Sequence, residues 1–152
     1  MFHCVCRFGA GMIAAVAIAT GALAQNSGER FEVTSIKAVR PTLVETVAAL
    51  QQGDFAKARM AFAAYDSGWN GIEVYINVRS RDLYREIEID LQKKIEDGLS
   101  KPAPDVPALL TDAKAILVKY DTAIDLVAKS PPLNPLFDDI ARLRIVKKYG
   151  QT

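Results

Sequence analysis

One continuous apolar stripe runs through the middle of the chain at the spacing of an α-helix. Its members are separated by four, three, four, three and four positions: Ala58, Phe62, Tyr65, Trp69, Ile72 and Ile76. This repeat places side chains on one face of a helix, whereas a half-buried strand needs apolar residues at every second position. A helix with such a face must bury it against other helices. The stripe therefore predicts a helical bundle.

Further stripes with the same spacing are separated by signals that stop one helix and start the next. Gly53 in "QQGD" can end a first helix, and Asp54, Ser80 and Asp105 can cap the three that follow. The proline-rich stretch 130–135, "SPPLNP", ends the fourth helix ahead of a shorter one. Because short loops make consecutive helices antiparallel neighbours, we predict an all-α antiparallel bundle of four main helices plus a short C-terminal helix.

The bundle domain is predicted to span residues 41–152, since the helical pattern becomes regular at Pro41. Residues 25–40 mix polar and apolar side chains without sustained periodicity. We predict that they form an N-terminal leader segment, in which "FEVTSI", residues 31–36, is a weak candidate for a strand.

Residues 1–24 have the pattern of a cleaved secretory signal peptide. Arg7 precedes the apolar run "FGAGMIAAVAIATGALA", which ends in Ala22-Leu23-Ala24 before Gln25. The run is short for a membrane span, and an uncleaved N-terminal anchor is the alternative. We expect secretion to the periplasm and a mature chain that begins at Gln25 and is not an integral membrane protein.

Cleavage at this point would remove every histidine and cysteine of the chain: His3, Cys4 and Cys6. Such a mature chain has no Cys/His zinc site, no haem attachment, no thiol nucleophile and no Ser-His-Asp triad. The 19 Lys and Arg residues fall to 18 without Arg7 and equal the 18 Asp and Glu residues. Nucleic acid is therefore not an expected partner, because its phosphates attract a basic surplus.

Two copies of a short pattern suggest a site. Trp69-Asn-Gly-Ile-Glu73 and Tyr84-Arg-Glu-Ile-Glu88 each place a glutamate on the apolar stripe of a helix, where a charge is costly. If residues 77–80 form a turn, the two helices fold back and both carboxylates lie near the same end of the bundle. Two half-buried carboxylates repel each other unless a cation lies between them.

Three kinds of cation fit this requirement: a metal ion, an arginine or the ammonium group of a substrate. An arginine would make the glutamates part of a structural ion pair, with Arg79, Arg85 or Arg144 as the partner. A metal ion would need an all-oxygen shell, which suits Fe(III), Fe(II), Mn(II) or Ca(II). Glu73 and Glu88 are therefore the candidate metal ligands, and further oxygens are available from Tyr65, Tyr75, Tyr84 and Asp66.

The stretch "AFAAYDSGWNGIEVYINVRSRDLYREIEIDL" resembles the extracytoplasmic helical domain attached to bacterial high-affinity iron permeases. That domain has a tyrosine and a tryptophan ahead of an Ile-Glu on one helix, and a Leu-Tyr-x-x-Ile-Glu on the next. The resemblance covers residues 43–126, and its specific part is Tyr65 to Leu91. The Arg-Glu-x-x-Glu helices of the permease itself are absent from this sequence.

The resemblance implies a free-standing version of that domain, with Glu73 and Glu88 facing a metal or holding the bundle together. Its implied role is iron uptake or handling, through binding iron or docking onto a membrane iron permease or another envelope protein. The alternative is a structural or protein-interaction bundle with the glutamates in ion pairs. We do not predict an enzyme, because carboxylates that act on a sugar need a cleft with aromatic platforms and the chain has one tryptophan.

Overall fold

The structure is a computed structural model that describes residues 28–149, and the side chains of residues 28–144 within them. The predicted signal peptide 1–24 and its cleavage site lie outside the described residues. No helix within the described range is long and apolar enough to cross a membrane.

Five helices and no strands make up the described part of the chain, which confirms the all-α prediction. The helices are α1 (Phe31–Gln51), α2 (Phe55–Asn77), α3, α4 (Val106–Lys129) and α5 (Leu136–Tyr149). Helix α3 is continuous but irregular, since it runs through Arg81–Arg85, a π-helical segment Glu86–Gln92, and Lys93–Ser100. Helix α2 packs against α1, α3 and α5, so it lies at the centre of the bundle.

The predicted caps are present. The Asp54 carboxylate accepts a hydrogen bond from the Lys57 amide at 2.9 Å, and the Ser80 hydroxyl accepts one from the Leu83 amide at 3.2 Å. Asp105 caps α4 in the same way, through the amide of Ala108. These bonds satisfy amides that have no partner within the helix, and they fix where each helix begins.

Helix α1 begins at Phe31, so residues 31–40, predicted as part of a leader ahead of a domain that starts at residue 41, are helical and pack in the bundle. The segment 31–36, the weak strand candidate, is the first part of this helix. Val33 and Ile36 are buried in the core, and their stripe continues to Leu43. Pro41 lies inside the helix and has no N–H to donate to the carbonyl of Lys37. Both residues are exposed, so water can donate to that carbonyl instead.

A buried charge, Glu32, interrupts the apolar pattern at the start of α1 and makes the stripe difficult to recognise in the sequence. The Glu32 side chain is 4% exposed and lies 2.8 Å from a guanidinium nitrogen of Arg30 and 2.7 Å from one of Arg79. Arg79 follows α2 and also donates to the carbonyls of Tyr75 and Pro131. The Glu32 cluster, defined as Arg30, Glu32 and Arg79, therefore joins the first turn of α1 to the turn between α2 and α3.

The centre of the core is aromatic. Trp69, Tyr65 and Tyr120 are fully buried, with the Tyr65 ring centroid 6.2 Å from Trp69 and 5.9 Å from Tyr120. Helices α1 and α2 approach closely at Gly68, where an added Cβ would lie 2.6 Å from a methyl group of Val39. The close packing of α1 against α2 thus favours glycine at position 68.

Candidate functional site

The two glutamate-bearing helices meet along a row of polar and aromatic side chains, which we call the α2–α3 seam. Its members are Asp66, Trp69 and Glu73 on α2, and Tyr84, Glu88 and Gln92 on α3. The Gln92 amide nitrogen donates to Asp66 at 2.7 Å, and the Trp69 indole nitrogen donates to Glu88. The Tyr84 ring stacks on Trp69 with the centroids 6.2 Å apart. These contacts confirm the predicted hairpin of antiparallel helices.

The π-helical segment explains how α3 supplies its side of the seam. Tyr84, Glu88 and Gln92 are spaced four residues apart, and in a regular α-helix each step of four overshoots a full turn by about 40°. The wider turn of a π-helix reduces this drift and aligns the three side chains along α2. Glu88 and Gln92 both lie within Glu86–Gln92.

Glu88 is a half-buried carboxylate among other acids. Burial raises its pKa, the indole hydrogen bond from Trp69 opposes part of this rise, and the charges of Glu73 and Asp66 raise it further. Among the described side chains, none of the ion pairs includes Glu88. The donor that contacts the Glu88 carboxylate in the described part of the chain is the neutral indole of Trp69 rather than a cation.

Glu73 has a different environment. Its carboxylate lies 2.8 Å from a guanidinium nitrogen of Arg144 on α5, and its side chain is 21% exposed. Of the three arginines named as possible partners, Arg144 is thus the one that pairs with Glu73, whereas Arg79 pairs with Glu32. Arg144 also offsets the effect of Glu73 and Glu88 on Tyr84, whose pKa is raised by burial and by those two acids.

The structure therefore brings Glu73 and Glu88 into one seam but gives each its own partner. No group of three or more Asp, Glu, His or Cys side chains in the described range is arranged so that it could hold a metal ion by itself. A cation at this seam would need oxygen atoms from other residue types.

Two such oxygens are buried, one in the seam and one on the core face of α2. The Gln92 carboxamide oxygen and the Tyr65 hydroxyl are both buried and have no hydrogen-bond partner in the described part of the chain. The Tyr65 ring is fully buried, which raises its pKa, and the charges of Glu88 and Asp66 act on its hydroxyl in the same direction. Tyr75, another predicted source of oxygen, instead donates to Asp138 at 2.7 Å.

A surface cavity of about 260 Å³ opens beside the seam, between α2 and the last turns of α3. Asp66 forms part of its wall, together with Phe62, Leu99 and Glu96. The cavity gives solvent, and any small ion in it, a route to the Asp66 carboxylate.

Sequence reasoning found the glutamates, Asp66, Tyr65 and Arg144, but it missed Gln92. The spacing of Gln92 four residues after Glu88 was the available signal. A glutamine on the core face of α3 carries the same cost as an acid there, because its amide needs partners once it is buried.

Comparison with models of known protein families, with characterised proteins and with solved structures finds no match to this chain.

Proposed function

We propose that this protein is exported and binds a hard metal cation at the α2–α3 seam through Glu73 and Glu88. Iron is the proposed metal, because the Trp-x-x-Ile-Glu and Tyr-x-x-Ile-Glu elements resemble the extracytoplasmic domain of iron permeases. The proposed role is the uptake or handling of iron, with a membrane iron permease or another envelope protein as partner. No catalysis is proposed.

The observation that supports this function is the environment of Glu88. Its carboxylate is half-buried, faces the acids Glu73 and Asp66, and has a neutral indole as its donor. Like charges placed together in a region of low polarity destabilise the fold unless a cation joins them. A metal ion bound by oxygen atoms would supply that cation, and carboxylates are the ligands that hard cations prefer.

Calorimetric titration of the predicted mature chain with Fe(III), Fe(II), Mn(II) and Ca(II) tests the proposal. The double variant Glu73→Gln and Glu88→Gln should abolish binding and leave the fold intact, because the amides keep the volume and remove the charge. Asp90→Asn is the matched control, since Asp90 is an exposed carboxylate in the same π-helical segment. Equal binding by the double variant and the wild type would refute the site.

A second function is favoured by the ion pair between Arg144 and Glu73, which fastens α5 to α2. In that case the protein is a structural or protein-interaction bundle in the cell envelope, and the glutamates serve its stability. This alternative predicts no heat with any metal, together with a lower melting temperature of the Glu73→Gln variant. The metal proposal predicts binding in the wild type under the same conditions.

A further inference from the structure

We infer that the cation site extends from Glu88 into the bundle, and that Asp66, Gln92 and Tyr65 supply its remaining oxygen ligands. This inference rests on the proposed function, because it takes Glu88 as a metal ligand. It adds three ligands and assigns the site to cations that prefer oxygen donors.

The Gln92 carboxamide is the first reason. Its nitrogen is fixed by the bond to Asp66, so the amide cannot rotate freely and its oxygen keeps a set direction. The side chain is 8% exposed, and this oxygen has no partner among the described residues. A buried acceptor without a donor is destabilising, and such groups in natural proteins call for an explanation such as an ion.

Tyr65 is the second reason, and it is independent of the first. Its hydroxyl is fully buried and has no hydrogen-bond partner in the described range, and its ring packs against Trp69, the indole that donates to Glu88. A buried hydroxyl ordinarily has a hydrogen-bond partner. A cation held between this hydroxyl and the carboxylates of Glu88 and Asp66 would use the hydroxyl lone pair and balance both carboxylates.

The local geometry of α3 is the third reason. The π-helical segment places Glu88 against Trp69 and Gln92 against Asp66 on α2. Such segments are rare in helices and frequently occur at functional sites, because an inserted residue re-aims the side chains that follow it. The cavity lined by Asp66 provides the access that a metal ion needs.

The ligand types select the cation. Together with Glu73 and Glu88 of the proposed function, Asp66, Gln92 and Tyr65 form an oxygen-only set of carboxylates, a carboxamide and a phenol, which suits Mn(II), Fe(II), Fe(III) or Ca(II). A set without nitrogen or sulfur gives soft Cu(I) no preferred ligand.

Tyr65→Phe, Gln92→Met and Asp66→Asn, each titrated with Mn(II) and Fe(III) in the mature chain, test the inference. Each removes an oxygen or a charge while it keeps most of the side-chain volume. We expect affinity to fall by about tenfold or more in each variant, at the lower end of the effect of altering groups around a metal. Tyr75→Phe and Asp90→Asn are the controls, since their oxygens lie away from the inner seam.

The outcomes separate the inference from the proposed function. If the wild type binds metal, Glu88→Gln does not, and the three inner variants bind as tightly as the wild type, then the inference is wrong and the proposed function stands. If the wild type binds no metal, both are wrong. Thermal melts without metal provide a second readout: Tyr65→Phe should not melt below the wild type, whereas a purely structural role for the Tyr65 hydroxyl would lower its melting temperature.

Discussion

Replacing Glu32 by glutamine tests whether the first turn of α1 contributes to the stability of the bundle. The change keeps the volume of the side chain and removes its charge, which leaves Arg79 without an anionic partner. The Arg79 side chain is 6% exposed, so water cannot replace the carboxylate that now lies 2.7 Å away. Breaking a buried pair by removing one partner costs about 3–5 kcal/mol.

The expected loss lies near the lower end of that range, about 3 kcal/mol. Arg79 keeps its hydrogen bonds to the carbonyls of Tyr75 and Pro131, and Arg30 keeps its bonds to carbonyls at the end of α4. For a domain of this size the melting temperature should fall by roughly 12 °C, at about 4 °C per kcal/mol. Urea denaturation followed by circular dichroism gives the free energy directly.

Asp121→Asn is the matched control for Glu32→Gln. It breaks the ion pair between Asp121 and Arg40, whose side chains are 48% and 39% exposed, and exposed pairs contribute only about 0–1 kcal/mol. Equal losses in Glu32→Gln and the control would refute the buried role of Glu32. They would also support the original expectation that the chain before Pro41 lies outside the bundle.

Four further measurements test the rest of the structure. Trp69→Ala should lose about 3–5 kcal/mol of unfolding free energy, because the indole is fully buried. In Gly68→Ala, overpacking against Val39 should cost about 1–3 kcal/mol, and the higher helix propensity of alanine should return about 1 kcal/mol of this. Adding Val39→Ala should restore stability, because it makes room for the new methyl group. Glu88→Gln, measured with a chelator present, should stabilise the protein at pH 7 relative to the wild type. The raised pKa of Glu88 means that folding favours its protonated form, so the protonated acid contributes stability below about pH 4, and this contribution is lost as the pH rises through the folded-state pKa. The stability difference between Glu88→Gln and the wild type should therefore be smaller at pH 4 than at pH 7. A larger difference at pH 4 would disprove the assignment. Intact mass of protein from the native envelope should correspond to a chain that begins at Gln25, and a retained Met1 would contradict the predicted cleavage.

Local chemistry explains why much of the fold could be predicted. Asp54, Ser80 and Asp105 cap helices through contacts within three residues, and such contacts are visible in a sequence. The burial of Trp69 followed from a long stripe on one helix, which has only one apolar face to bury.

The misses depend on contacts between distant segments. In the sequence Glu32 resembles a surface acid, because its partner Arg79 lies 47 residues further along the chain. With Glu32 assigned to the surface, the apolar stripe of α1 looks irregular. For Glu73 the sequence offered three arginines as partners but could not select Arg144, which lies on α5, 71 residues further along the chain. The spacing of the sequence predicted both glutamates of the candidate site. Their different partners, Trp69 for Glu88 and Arg144 for Glu73, depend on how α2, α3 and α5 pack together.

The π-helical segment sets a limit on how the length of α3 can vary. Ile95 and Leu99, after the segment, are buried in the core, while Glu88 and Gln92 within it point along α2. Deleting one residue here would restore a regular helix and turn everything that follows by about 100°. The two halves of α3 would then be out of phase with one of their neighbours, so either the polar seam or the apolar core would lose its alignment. The π-helical segment therefore fixes the rotation of the last part of α3 relative to its first part, and the number of residues in the segment determines that rotation.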